Sequence, residues 1–214
     1  MIKGKLALKA KHSARKKEIE ERLAHFESAG KKGGRALFEE LAFCILTPQS
    51  KAFSCDEAIR ELKNSGLLFE GGVADITSVL SKKTRFHNKK AEYLVMAREK
   101  FGKDGFVSLE AVTFFSDERT ARGAILKAVK GIGWKEASHY LRNVGRGNGI
   151  AILDRHVLKN LKLHNAISEV PENLTPKRYL AIEKKMEKFC METGIPMAHL
   201  DLLFWAEETG RIFK

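Results

Sequence analysis

The chain of 214 residues is poor in cysteine, with three, in proline, with four, and in tryptophan, with two. Cys44, Cys55 and Cys190 are scattered and odd in number, which excludes a disulfide framework and fits reduced, mostly buried thiols. They have no zinc-ligand spacing, and Cys190 alone lies in the C-terminal third, so no four-cysteine iron–sulfur cluster can be built there. Every apolar stretch is cut by a charge or a glycine within about ten residues, too short for a membrane span. The segment Met1 to Lys17 is basic but lacks an apolar signal core and a small-residue cleavage site, which argues against secretion. Acidic residues are in deficit: 27 Asp and Glu face 39 Lys and Arg, a net charge of +12. Such an excess favours a polyanion, either nucleic acid or an anionic membrane surface. The 43% of hydrophobic residues suffices for one sizeable core or two small lobes and excludes a disordered tail protein.

What is present is helical periodicity almost from end to end, and the expected fold is all-α. Ile19, Leu23 and Phe26 mark a first helix ended by Gly30. Leu37, Leu41 and Ile45 mark a second, stopped before Pro48, and Phe53 to Leu62 a third, closed by Gly66. Asn88 is expected to cap a helix with Ala91, Leu94, Val95 and Phe101 inward, and Pro176 and Pro196 to open the last two. Gly149 to Leu153 reads as an extended approach to Asp154 rather than a strand. No flexible linker divides the chain.

The densest local signal is Leu126-Lys127-Ala128-Val129-Lys130-Gly131-Ile132-Gly133-Trp134-Lys135-Glu136-Ala137. Ile125, Leu126 and Val129 end one helix. Gly131 and Gly133 break it where φ > 0 or close backbone approach is needed, and Trp134, Ala137, Tyr140, Leu141 and Val144 restart a second. A glycine turn between two helices leaves backbone N–H groups aimed outward beside a helix N-terminus, which suits a phosphate. Lys130, Arg142 and Arg146 add positive charge, and nineteen residues after Lys135 comes Asp154-Arg155-His156. Taken singly, a lysine at a helix start is a common surface residue and an acid before an apolar run a common N-cap.

Together these residues resemble the helix-hairpin-helix DNA glycosylases. The resemblance implies two helical lobes, residues 36–148 carrying the hairpin (about 121–144) and residues 1–35 plus 149–214 forming the other, with Lys135 facing Asp154 across the cleft. It implies that Lys135 is the nucleophile and Asp154 the anion beside the sugar C1′. An amine nucleophile leaves an imine from which the 3′ phosphate is lost by β-elimination, so Lys135 argues for a bifunctional glycosylase/AP lyase. Partial burial and neighbouring cations would keep such an amine partly neutral. Gly131, Gly133, Lys130 and His156 are the expected phosphate contacts, His156 having a satisfied, partly buried histidine as its alternative. Gln49, in Leu46-Thr47-Pro48-Gln49-Ser50, resembles the amide that wedges into the duplex when the base is flipped, although Pro48 alone also accounts for a turn.

The C-terminal stretch His199 to Lys214 resembles the type 2 8-oxoguanine DNA glycosylases, in which a final lysine and its carboxylate line the base pocket. Trp205, nine residues before Lys214, matches the tryptophan that stacks on the flipped base. Phe86, in Arg85-Phe86-His87-Asn88-Lys89-Lys90-Ala91, matches the opposing ring. Stacking on two faces is worth roughly 1–3 kcal/mol per base. Trp205 and Phe86 also suit an ordinary core, and Asp201 could orient His156 or a pocket donor. The expected activity is excision of 8-oxoguanine from double-stranded DNA with cleavage of the abasic site, by a cytoplasmic, nucleoid-associated prokaryotic monomer that binds no membrane. No cofactor is required; a monovalent cation on hairpin carbonyls is allowed. A glycosylase/lyase for oxidised pyrimidines would share Lys135 and Asp154. A non-catalytic helix-hairpin-helix module would bind without turnover.

Overall fold

The computed structural model describes residues 2–214, and among them there are twelve helices and no strand. These are α1 (Lys5–Lys31), α2 (Gly34–Leu46), α3 (Ala52–Asn64), α4 (Leu67–Glu70), α5 (Val73–Leu80), α6 (His87–Gly102), α7 (Val107–Thr113), α8 (Glu118–Ala128), α9 (Trp134–Asn143), α10 (Arg155–Leu163), α11 (Pro176–Thr193) and α12 (Met197–Thr209). The all-α expectation holds. Helix α1 starts well before Ile19, because only Leu8, Ile19, Phe26 and Gly30 along it are buried and its first turns offer little apolar periodicity. The residue preceding α6 is Phe86, at φ 56°, and Asn88 lies inside the helix rather than capping it. Pro196 sits just before α12, not within its first turn.

Two hydrophobic clusters form, and the chain passes from one to the other between Ile150 and Ala151. The first takes buried residues from Leu37 to Ile150. The second joins Leu8, Ile19 and Phe26 of α1 to residues from Ala151 to Phe204. Helix α1 packs on α12 and α9, and so bridges the two.

The crossing segment is fastened by buried polar contacts. The Arg122 guanidinium of α8 makes a two-pronged ion pair with Glu183 of α11, at 2.5 and 2.9 Å. It also lies over the Trp134 ring at 4.7 Å. Ala151 N donates to Glu183 at 2.8 Å, and the Tyr179 hydroxyl donates to Ala151 O at 2.7 Å. A buried, geometrically matched pair of this kind fixes register more than it adds net stability. Here it sets the extended residues 150–153 against α11 and delivers Asp154 to the start of α10.

Candidate active site

The hairpin runs from Val129 to Gly133, between α8 and α9. Gly131 has φ 79°, and a Cβ there would stand 2.2 Å from the Tyr93 ring, so glycine is required twice over. Gly133 is extended, with φ −104°, and its N–H donates to the Glu136 carboxylate at 3.3 Å. Among the described residues, the amides of Lys130, Gly131 and Ile132 donate to no protein acceptor and Lys130 is exposed. These unpaired amides lie beside the N-terminus of α9, where an anion is favoured.

Lys135 lies in the first turn of α9, two residues past the hairpin. Its side chain is 24% exposed, with Nζ 3.8 Å from Glu136 Oε1. Asp154 caps α10: its Oδ1 accepts from the His156 and Val157 amides, each at 2.8 Å. Capping therefore occupies one carboxylate oxygen and fixes the plane of the group. Lys135, Asp154 and His156 line the same cleft, of about 1190 Å³. That exceeds the roughly 300–1,000 Å³ of most small-molecule pockets. The lining is strongly cationic, with Lys51, Lys82, Lys83, Arg85, Lys135, Arg142, Arg155 and Lys214 against Glu136, Asp154 and Asp201.

The His156 ring accepts from Arg155 Nε at 3.2 Å, and its Nδ1 lies 4.0 Å from Glu208. Asp201 does not orient it; Asp201 pairs instead with Arg142, Oδ2 to Nη2 at 3.3 Å, both groups buried. Burial pushes the Asp201 carboxyl up to about 6; Arg142 and Lys135 oppose the rise and the charge on Asp154 adds to it. The pair is poorly aligned, so Asp201 Oδ2 and Arg142 Nε and Nη1 have no hydrogen-bond partner.

His139 was not anticipated from sequence, although its position four residues after Lys135 places it on the same face of α9. It is 5% exposed and lines the cleft, and neither ring nitrogen has a well-aligned hydrogen-bond partner, the Lys214 main chain being the polar group against it. Burial, and then the charges on Lys135, Arg142 and Lys214, hold its pKa well below the ordinary imidazole value, so the ring is neutral. Buried polar atoms without partners are uncommon, and here they cluster beneath one cleft.

The opposite side differs from expectation. Trp205 lines the cleft and is half-buried, but the rings against it are Phe53, at 5.6 Å, and Phe213, at 5.8 Å and nearly parallel. Phe86 is not the facing wall. It is 55% exposed, does not line the cleft, and lies under the Arg85 guanidinium at 5.4 Å. The reason is local: the backbone at Phe86 turns left-handed at the start of α6 and leaves the ring on the rim. Gln49 is also exposed, at φ 54°. Its loop is held by the buried ammonium of Lys90, which donates to Leu46 O at 2.6 Å, Pro48 O at 2.8 Å and Ser50 Oγ at 2.8 Å. Two left-handed non-glycine residues so close together store strain of the kind found at functional sites.

Lys214 lines the cleft, but its ammonium turns away to Glu40 Oε1 at 2.8 Å and Asp56 Oδ1 at 3.4 Å. The side-chain amine is therefore turned away from the cleft that Lys214 lines.

The comparisons with known proteins agree along nearly the whole chain. The family model for 8-oxoguanine DNA glycosylase matches residues 19–195. The 8-oxoguanine DNA glycosylase/AP lyase of Fusobacterium nucleatum is 47% identical over 202 residues, spanning 92% of this chain and 91% of its own. Its counterpart from Methanocaldococcus jannaschii is 38% identical over 95% of each chain. Among solved structures, the M. jannaschii glycosylase/lyase in complex with a 15mer DNA containing 8-oxoguanine matches with a TM-score of 0.86 at 32% identity, covering 98% of this chain and 100% of that one. The 8-oxoguanine DNA glycosylase of Thermotoga maritima matches with a TM-score of 0.87 at 32% identity, over 98% of each chain. Sequence and architecture thus lead to one conclusion: this chain belongs to the 8-oxoguanine DNA glycosylase/AP lyase family.

Proposed function

We propose that the chain excises 8-oxoguanine from duplex DNA through a lysine Schiff base and then cleaves the abasic strand. The observation that carries the reading is the placement of Lys135 and Asp154 in one cationic cleft directly behind the hairpin. The exposed hairpin amides and Lys130 hold a phosphate of the strand, and His156 and Arg155 lie where the next phosphate passes. The carbonyls of Val129 to Ile132 accept from no protein donor among the described residues, and they are where a monovalent cation would fit; no step depends on it.

The Lys135 amine attacks C1′ as the C1′–N9 bond breaks, and the bonding pair leaves with the base. Asp154 stabilises positive charge on the sugar and accepts the proton released from the amine. The C1′–Nζ bond becomes an imine as the sugar ring opens. Loss of a C2′ proton then expels the 3′ phosphate, and water frees Lys135.

In the base pocket, Trp205 supplies a stacking face, and the main-chain oxygens of Lys214 face the lesion. Oxidation of guanine at C8 places a hydrogen on N7, where guanine has a lone pair. A main-chain oxygen acceptor attracts the first and repels the second. Gln49 fills the space left by the flipped base, with Phe86 beside it on the rim. The test is incubation with a duplex bearing one 8-oxoguanine, followed by borohydride. A covalent protein–DNA adduct with strand cleavage is expected; binding without adduct would reduce the protein to a DNA-binding module.

A further inference from the structure

Past the end of α12 every residue from Arg211 to Lys214 has a partner. The Arg211 guanidinium stacks on Phe53 at 3.6 Å, Ile212 N donates to Glu18, and Phe213 O accepts from Arg22 at 3.3 Å. Lys214 is the most strongly held. Its side chain is 16% exposed, its ammonium reaches Glu40 and Asp56, and it lies over the Phe43 ring at 4.8 Å. Each of the two acids presents one oxygen to Lys214 and has the other tied elsewhere. Glu40 Oε2 accepts from Asn143 Nδ2 at 2.9 Å, and Asp56 Oδ2 pairs with Arg60 at 2.6 Å. The acceptors are therefore fixed before the lysine arrives.

The three groups come from opposite sides of the molecule. Glu40 and Asp56 sit on α2 and α3, in the first hydrophobic cluster, whereas the tail follows α12 of the second. Asn143 ends α9, the helix that carries Lys135 in its first turn, so one carboxylate ties the end of the tail to the nucleophile's helix. With the ammonium engaged elsewhere, the Lys214 main chain lies against the His139 ring, and both residues line the cleft.

From this geometry we infer that Glu40 and Asp56 are positioning residues for lesion recognition: by clamping the Lys214 ammonium they aim its main-chain oxygens at the base without touching it. The inference rests on the reading that Lys214 faces the lesion, and it adds that the side chain is the fastener. It explains why a long cationic residue stands at a place whose task is to present an acceptor. It also separates recognition from strand cleavage, because the clamp reaches neither Lys135 Nζ nor Asp154.

The test compares Lys214→Met, Glu40→Gln, their double variant, Lys214→Arg and removal of Lys214. Each is assayed on an 8-oxoguanine duplex and on a preformed abasic duplex, with the melting temperature measured alongside. Lys214→Met and Glu40→Gln should each lower kcat/KM for 8-oxoguanine by about tenfold or more, since small misplacement of a contact group carries penalties of that order. Abasic cleavage should fall far less. The double variant should be no worse than the worse single one, because both remove the same contact, and Lys214→Arg should recover most of the loss. If removing Lys214 impairs excision but Lys214→Met and Glu40→Gln do not, the clamp is overturned and the reading of Lys214 stands. If removal also leaves excision intact, that reading falls and the clamp with it. Additive losses, or losses equal on both substrates, would make Glu40 a structural residue and overturn the assignment.

Discussion

One wall of the cleft is made from a single stretch of chain, residues 135–156, while the other gathers Trp205 from α12, Lys214 from the tail, Phe53 from α3, the Gln49 loop and the loop before α6. The first holds Lys135 and Asp154 on the starting turns of two helices and is braced by the buried Arg122–Glu183 pair and Tyr179. The second is held by ring contacts and by ion pairs between distant segments. The difference suggests a division of labour. Bond breaking needs a few atoms fixed tightly, and short-range capping with a buried clamp provides that. Base reading needs a shape complementary to one lesion, and a wall of separate pieces can be adjusted without disturbing the chemistry.

The division is tested most severely at Lys135. Lys135→Gln should abolish borohydride trapping and strand cleavage while leaving duplex affinity largely intact, because binding draws on the whole cationic cleft. An undiminished adduct would assign the nucleophile elsewhere. Asp154→Asn keeps the capping oxygen but removes the charge. Single-turnover excision should fall by about 10²-fold, with the melting temperature little changed, and a near-normal rate would reduce Asp154 to a helix cap.

Smaller effects belong to the opposite wall and to the floor between them. Gln49→Ala should slow 8-oxoguanine excision by less than about tenfold, the size expected for losing part of the compensation for unstacking. It should slow an unpaired, single-stranded substrate less, and an equal effect on both would argue against a wedge. Asp201 gives a pH signature. Its folded carboxyl is raised from 3.8 to about 6, so its favourable contribution is complete below 3.8 and is lost as pH rises through 6. Asp201→Asn lacks this titration, so its melting temperature should improve relative to the parent between pH 4.5 and 7.5. A constant difference across that range would show that Asp201 is not held in its raised state.

The continuous wall was legible in the sequence because its information is local. Two glycines, a lysine beside them and an acid nineteen residues later lie within one reading frame of helix, turn and extended segment. The assembled wall was legible only in part. Trp205 and Lys214 could be placed from the end of the chain, but Phe53 and Phe213 meet Trp205 only through tertiary folding. Phe86 is expected on that wall only through the resemblance of Arg85 to Ala91 to the family's other pocket wall; the left-handed turn before α6, which leaves it on the rim, has no signature in composition. Glu40 and Asp56 resemble any acids on amphipathic helices until the tail is folded against them. His139 carries a local signal as well, one turn from Lys135 on the same helix face.

The most direct measurement of the division between the walls is a single-turnover comparison of the parent chain and the chain lacking Lys214 on two duplexes, one carrying 8-oxoguanine and one a preformed abasic site. Excision of 8-oxoguanine should fall by about tenfold or more, while cleavage at the abasic site, which has no base to read, should stay within a fewfold, with the melting temperature unchanged. Equal losses on both substrates, or no loss on either, would contradict the account.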